Sequence, residues 1–313
     1  MPQHVRRVRL TFLLISSPLR LSFRVQYPAM AGNHSKFGIY SDEFKTWIGN
    51  VDLAAMEAFA SLPVAEARIA IAQGEAAVKD ALPNIIHEDH PIIAPGVSAR
   101  VFRQAGTNNR STPKRPLLMV YHGGGWAVGG HATEPVLVRT LVNKLGFVAV
   151  SIDYRMAPEH PYPTPLHDCY EGLLWAQRNA DKLGIDPNCV FVGGSSAGGN
   201  LSAAVALRAR DEGLPCIKGQ ILIIPALCHY RHFPKNTKDE LRSFEDLKNV
   251  PVLNAAAMKK FWGEHDYALE YRIYTNVTYR CVLPRSSTKL DRFASTCKVP
   301  RRPAAYLCTN CRL

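Results

Sequence analysis

Two serines stand side by side in Val192-Gly-Gly-Ser-Ser-Ala-Gly-Gly-Asn200, and their spacing to the glycines separates them. The pattern G-x-S-x-G fits Gly194-Ser195-Ser196-Ala197-Gly198, so Ser196 is the candidate nucleophile and Ser195 is the intervening residue. Moving the frame back by one residue ends it on Ala197 and loses the final glycine. The chemistry implied is covalent acyl transfer. A serine strained at the apex of a strand-to-helix turn presents its hydroxyl, and the positive end of the following helix faces the negative charge that develops. The stretch fits neither G-x-x-x-x-G-K-[ST] nor G-x-G-x-x-G, which argues against a nucleotide loop. A second stretch, Tyr121-His-Gly-Gly-Gly-Trp126, complements it. Consecutive glycines allow backbone N–H groups to converge on an oxyanion without obstruction. Gly124 and Gly125 are the expected donors there, with Ala197 N–H, one residue past the serine, as the third. His122 precedes the glycines and reads as a residue that ties the loop down by a hydrogen bond.

These residues need strands and helices to bring them together. Leu117–Tyr121, Phe147–Ile152, Cys189–Val192 and Gly219–Ile224 are short apolar runs. Helix-forming stretches, Pro135–Lys144, Leu166–Asn179 and Asn200–Arg210, separate or follow them. That alternation predicts right-handed crossovers and a mainly parallel sheet. Helical periodicity also runs through 37–80, with Pro63 opening one helix. Edge strands are expected around Ile85–Ile86 and Val97–Phe102. The tail after residue 271 shows no strand or helical period.

A third stretch, Asp153-Tyr-Arg-Met-Ala-Pro-Glu-His-Pro-Tyr-Pro163, joins the other two. In order and spacing the three together resemble the hormone-sensitive-lipase-like branch of the α/β-hydrolases, whose members are largely carboxylesterases. The resemblance covers residues 80–265, with the 37–80 helices similar to the family's N-terminal cap. It implies an α/β-hydrolase fold with a mainly parallel sheet, a carboxylic ester as small-molecule substrate, an acyl-enzyme intermediate and no cofactor or metal. It also implies a supporting network among Asp153, Arg155 and Glu159. Ser195 stands where the family usually has aspartate.

A serine needs a base oriented by a carboxylate. The family's order is serine, acid, histidine, with the acid about 95 residues after the serine in a D-P-L-type stretch and the histidine about 30 later. Asp291 has the spacing, but its context is Thr-Lys-Leu-Asp-Arg-Phe. No histidine follows His265. His229 and His232, just beyond the fourth strand, are the weak candidates for the base. The resemblance stops after Asp266, which implies an altered or truncated C-terminal end, an incomplete sheet with an open edge, and impaired turnover. Loss of a triad member typically lowers the rate about 10³–10⁶-fold. The alternative is an inactive remnant or a small-molecule binding protein, as in the gibberellin receptors of the same family, which lack the histidine.

The net charge of +12 sits at the ends. Residues 1–29 carry five arginines and no acid, residues 272–313 carry nine basic residues and one acid, and the remainder is balanced to −1. Nucleic-acid binding is therefore not expected, and no run is long and apolar enough to span a bilayer. The division expected is a basic disordered extension (1–36), a hydrolase domain (37–271) and a basic, cysteine-containing tail (272–313). The cysteine pattern of the body points to a reducing, cytoplasmic setting, with mitochondrial targeting by residues 1–29 as the alternative. Cys308-Thr-Asn-Cys311 has zinc-ligand spacing, but irregular partner spacings and the lack of knuckle glycines argue against a metal.

Overall fold

A computed structural model of the chain describes residues 6–12, 21–27, 41–78, 82–91, 95–107, 114–230, 243–263 and 305–309. The chain divides into two units, Met1–Val51 and Asp52–Leu313. In the first, β1 (Arg6–Phe12) and β2 (Leu21–Tyr27) pair antiparallel, with Val8 opposite Val25 and Leu10 opposite Phe23. The extension expected to be disordered thus carries a strand pair. In β1 the apolar Val8, Leu10 and Phe12 alternate with Arg7, Arg9 and Thr11. Helix α1 (Asp42–Gly49) follows, with Ser41 Oγ accepting from Phe44 N. The 37–80 helices therefore span the boundary between the units.

The second unit opens with α2 (Leu53–Ser61), capped by Asp52, and α3 (Val64–Val78), which begins just after Pro63. Then come β3 (Ile85–Pro91), β4 (Ser98–Gln104), β5 (Arg115–Tyr121), α4 (Pro135–Arg139), β6 (Val148–Asp153), α5 (Thr164–Arg178), α6 (Ala180–Leu183), β7 (Ile185–Ser195), α7 (Ala197–Asp211), β8 (Ile217–Ile223), α8 (Ser243–Asp246), α9 (Ala255–Gly263) and β9 (Ala305–Thr309). A π-helical turn, Thr140–Lys144, continues α4. The sheet order is β3-β4-β6-β5-β7-β8-β9. The pairs β3–β4 and β4–β6 are antiparallel and the others parallel.

Burial explains why the central runs lack alternation. Leu117, Met119 and Tyr121 of β5 face one side, where Val150, Val192, Leu173 of α5 and Leu201 of α7 pack. Leu118 and Val120 face the other, against Phe102, Ala149, Leu137 and Val138. A strand covered by helices on both faces must be apolar throughout. The tail, expected without a strand, supplies β9, which pairs along β8 from Gly219–Ala305 to Ile223–Thr309. Among the described residues the sheet therefore ends on β9 and not on β8. Five residues are too few to show a period, and strand pairing needs only backbone groups.

Candidate active site

Strands β5 and β7 lie side by side, with Val120 opposite Gly193, so the segments leaving their carboxyl ends meet. The strand order reverses here, with β6 on one flank of β5 and β7 on the other. Open α/β sheets leave a crevice at such a switch point.

Ser196 sits between β7 and α7 with φ 51° and ψ −114°, a conformation that side-chain-bearing residues hold only under constraint. The constraint is visible. Ser196 N donates to Ile223 O (2.9 Å), and Ser196 O accepts from Asn200 N (3.0 Å) and Ala226 N (3.2 Å). A Cβ on Gly194 or Gly198 would overlap the Tyr121 carbonyl oxygen. The two glycines of the motif are thus a space requirement set by the end of β5. Ala197 is the first residue of α7, where helical amides lack intrahelical acceptors.

The glycine loop leaves β5 with Gly124 at φ 110°. Gly124 O accepts from Ala127 N (3.1 Å) and Val128 N (3.0 Å), and a Cβ on Gly124 would overlap Val128 O. Trp126 is buried against Trp262 of α9, ring centroids 4.8 Å apart. From α3, Arg68 Nε donates to Ala127 O (2.7 Å) and Arg68 Nη2 to Ala157 O (2.6 Å). Lys260 Nζ donates to Ala60 O (3.2 Å), joining α9 to α2. Helices outside the sheet thus brace the loop.

His122 is fully buried. Its Nδ1 lies 2.8 Å from Gly123 O, and a carbonyl only accepts, so this nitrogen carries a proton. The ring stacks on Tyr154 at 4.1 Å, and Tyr154 Oη donates to His122 O (2.8 Å). Burial holds the Tyr154 hydroxyl well above its ordinary pKa. His122 Nε2 faces Asp153 Oδ1 at 3.6 Å. Nearby His131 bridges Ser98 Oγ (2.9 Å) and Ser151 Oγ (3.1 Å), and burial lowers its pKa to about 4. It is a neutral structural residue at pH 7.

The network expected among Asp153, Arg155 and Glu159 takes a different form. Arg155 pairs with buried Asp168, through Nη2 to Oδ1 (2.7 Å) and both Nε and its own backbone N to Oδ2 (2.9 and 3.0 Å). These bonds hold its pKa above the ordinary arginine value. Glu159 takes two bonds from Arg68, Nη1 to Oε1 (3.0 Å) and Nη2 to Oε2 (2.9 Å). Arg155 and Glu159 are each matched from another element, Asp153 is not hydrogen-bonded to either, and none of the three bonds another.

Sequence reasoning passed over Glu134. It is buried, and its Oε1 accepts from Gly123 N (3.2 Å), Ser195 N (3.1 Å) and Ser195 Oγ. A lone glutamate ahead of a helix carries no motif. The usable signal was its place before Pro135, at the end of the glycine loop.

A protein-family model described as alpha/beta hydrolase fold matches residues 118–292, more than half of the chain. The chain belongs to this family. A Schizosaccharomyces pombe AB hydrolase superfamily protein is 36% identical over 195 residues, 61% of this chain and 54% of that protein. Carboxylesterase NlhH of Mycobacterium tuberculosis is 38% identical over 146 residues, 47% of this chain and 43% of NlhH. The crystal structure of EstE1, a thermostable carboxylesterase cloned from a metagenomic library, matches with TM-score 0.57 at 26% identity, covering 68% of this chain and 72% of EstE1. The chain spans about half the length of the curated relatives it matches.

The α/β-hydrolase match reaches past Asp266, where the resemblance was expected to stop, and includes Asp291. Asp291, His232 and His265 lie outside the described residues. His229 is described. Its ring packs on Tyr230 (4.5 Å) and Trp262 (4.8 Å). Among the described residues, no group of three or more histidine, cysteine, aspartate or glutamate residues could hold a metal ion. No helix among them is long and apolar enough to cross a membrane.

Proposed function

We propose that the chain hydrolyses carboxylic esters through an acyl-enzyme on Ser196. The observation that carries this reading is Ser196 at the constrained β7–α7 turn, with the Gly124–Gly125 loop leaving the adjacent strand. Ser196 Oγ attacks the ester carbonyl carbon, and the alcohol leaves with a proton. Water then attacks the acyl-enzyme, releasing the acid and restoring the hydroxyl. The amides of Gly124, Gly125 and Ala197 stabilise the oxyanion in both steps. Small-molecule esters are the substrate class, in keeping with the carboxylesterases among the chain's relatives.

The test is turnover of a chromogenic short-acyl ester by the chain and by Ser196→Ala. The expected result is a lower rate in the variant, with a loss of about 10³-fold or more where a base outside the described residues serves Ser196. Equal background rates from both would reject hydrolysis in favour of the inactive or ligand-binding alternative.

A further inference from the structure

We propose that Glu134 is a positioning residue that locks the glycine loop to the nucleophile turn, and so sets the spacing between Ser196 and the oxyanion donors. This deepens the esterase reading and rests on it. Glu134 Oε1 accepts from both sides of the crevice at once. Gly123 N belongs to the loop after β5, one residue before the donor Gly124. Ser195, whose N and Oγ both donate, is the last residue of β7, one residue before Ser196. One carboxylate oxygen therefore bridges the backbones on either side of the reacting centre.

The surrounding chemistry supports a fixed role. Glu134 is 7% exposed, so water cannot replace these bonds cheaply. The fit is close, since a Cβ on Gly123 would lie 2.7 Å from Ser195 Oγ and 3.0 Å from Ser195 O. It also gives Ser195 a role. A hydroxyl at this position donates to Glu134, whereas an aspartate there would set a second carboxylate against it.

The consequence is specific. Oxyanion donors act in the transition state more than in the ground state, so loosening their support lowers kcat and leaves KM nearly unchanged. Glu134→Ala is expected to lower kcat about 10–100-fold, as for a misplacement of about 1 Å. Glu134→Gln keeps a neutral acceptor and is expected to recover part of the loss. Ser195→Ala removes only the hydroxyl bond and is expected to show the smallest loss. Hydrogen exchange on the same chain gives a readout independent of turnover. The Gly123 and Ser195 amides are expected to exchange faster in Glu134→Ala, and to stay protected in Ser196→Ala.

Unchanged exchange at both amides in the glutamate variants overturns the proposal whatever the kinetics. So does a parallel fall of kcat and rise of KM with no rescue by glutamine, which marks a general structural role. If Glu134→Ala does not fold, Glu134→Gln and Ser195→Ala carry the same two readouts. If the unaltered chain and Ser196→Ala turn over equally, the esterase reading fails, and the exchange result alone decides whether Glu134 holds the two segments.

Discussion

The β5–β7 crevice and the charged segment 153–163 lie close in the chain's plan but are held by different physics. In the crevice, position is set by volume: Gly194 and Gly198 leave room for the Tyr121 carbonyl oxygen, and Gly124 leaves room for Val128. In the charged segment, position is set by partner choice, with Arg155 going to Asp168 and Glu159 to Arg68. A volume requirement forces one residue type and leaves a pattern in the sequence. A charge requirement is met by any opposite charge in reach, so the segment's own pattern does not name its partners.

Substitutions should rank accordingly. Gly198→Ala drives a methyl into backbone that cannot retreat, and should cost about 3 kcal/mol, read as a drop in the urea midpoint at constant slope. A loss below about 0.5 kcal/mol would show that the end of β5 yields, and would break the contrast. Asp168→Ala removes three bonds from Arg155 and should cost about 2 kcal/mol by the same measurement. Glu159→Gln should cost less than about 1 kcal/mol, because its pair with Arg68 is exposed on the carboxylate side. This last effect carries a pH signature. The bonds from Arg68 hold the Glu159 carboxyl below its ordinary pKa. Its contribution is therefore full above the ordinary glutamate value and fades as pH falls through the lowered one. The stability difference between Glu159→Gln and the unaltered chain should shrink on acidification, and a difference that grows would contradict the sign.

The central elements were legible because burial writes itself into composition. β5 is buried on both faces and reads Leu-Leu-Met-Val-Tyr. Ser196 was legible because the glycines around it have a steric cause. The short strands at the ends were not. β9 spans five residues, and β1 and β2 sit among arginines. Glu134 was invisible for another reason: its three donors come from segments 11 and 61 residues away.

By itself, the sequence determined which serine stands at the turn, which loop leaves the strand beside it and which runs form the centre of the sheet. Each of these follows from local sterics or from burial, and both restrict residue type at a position. Only the tertiary structure decided which carboxylate bridges the crevice and which arginine each acid meets. It also decided which helices brace the glycine loop. Those are choices among chemically equivalent partners, and proximity in the folded chain makes them.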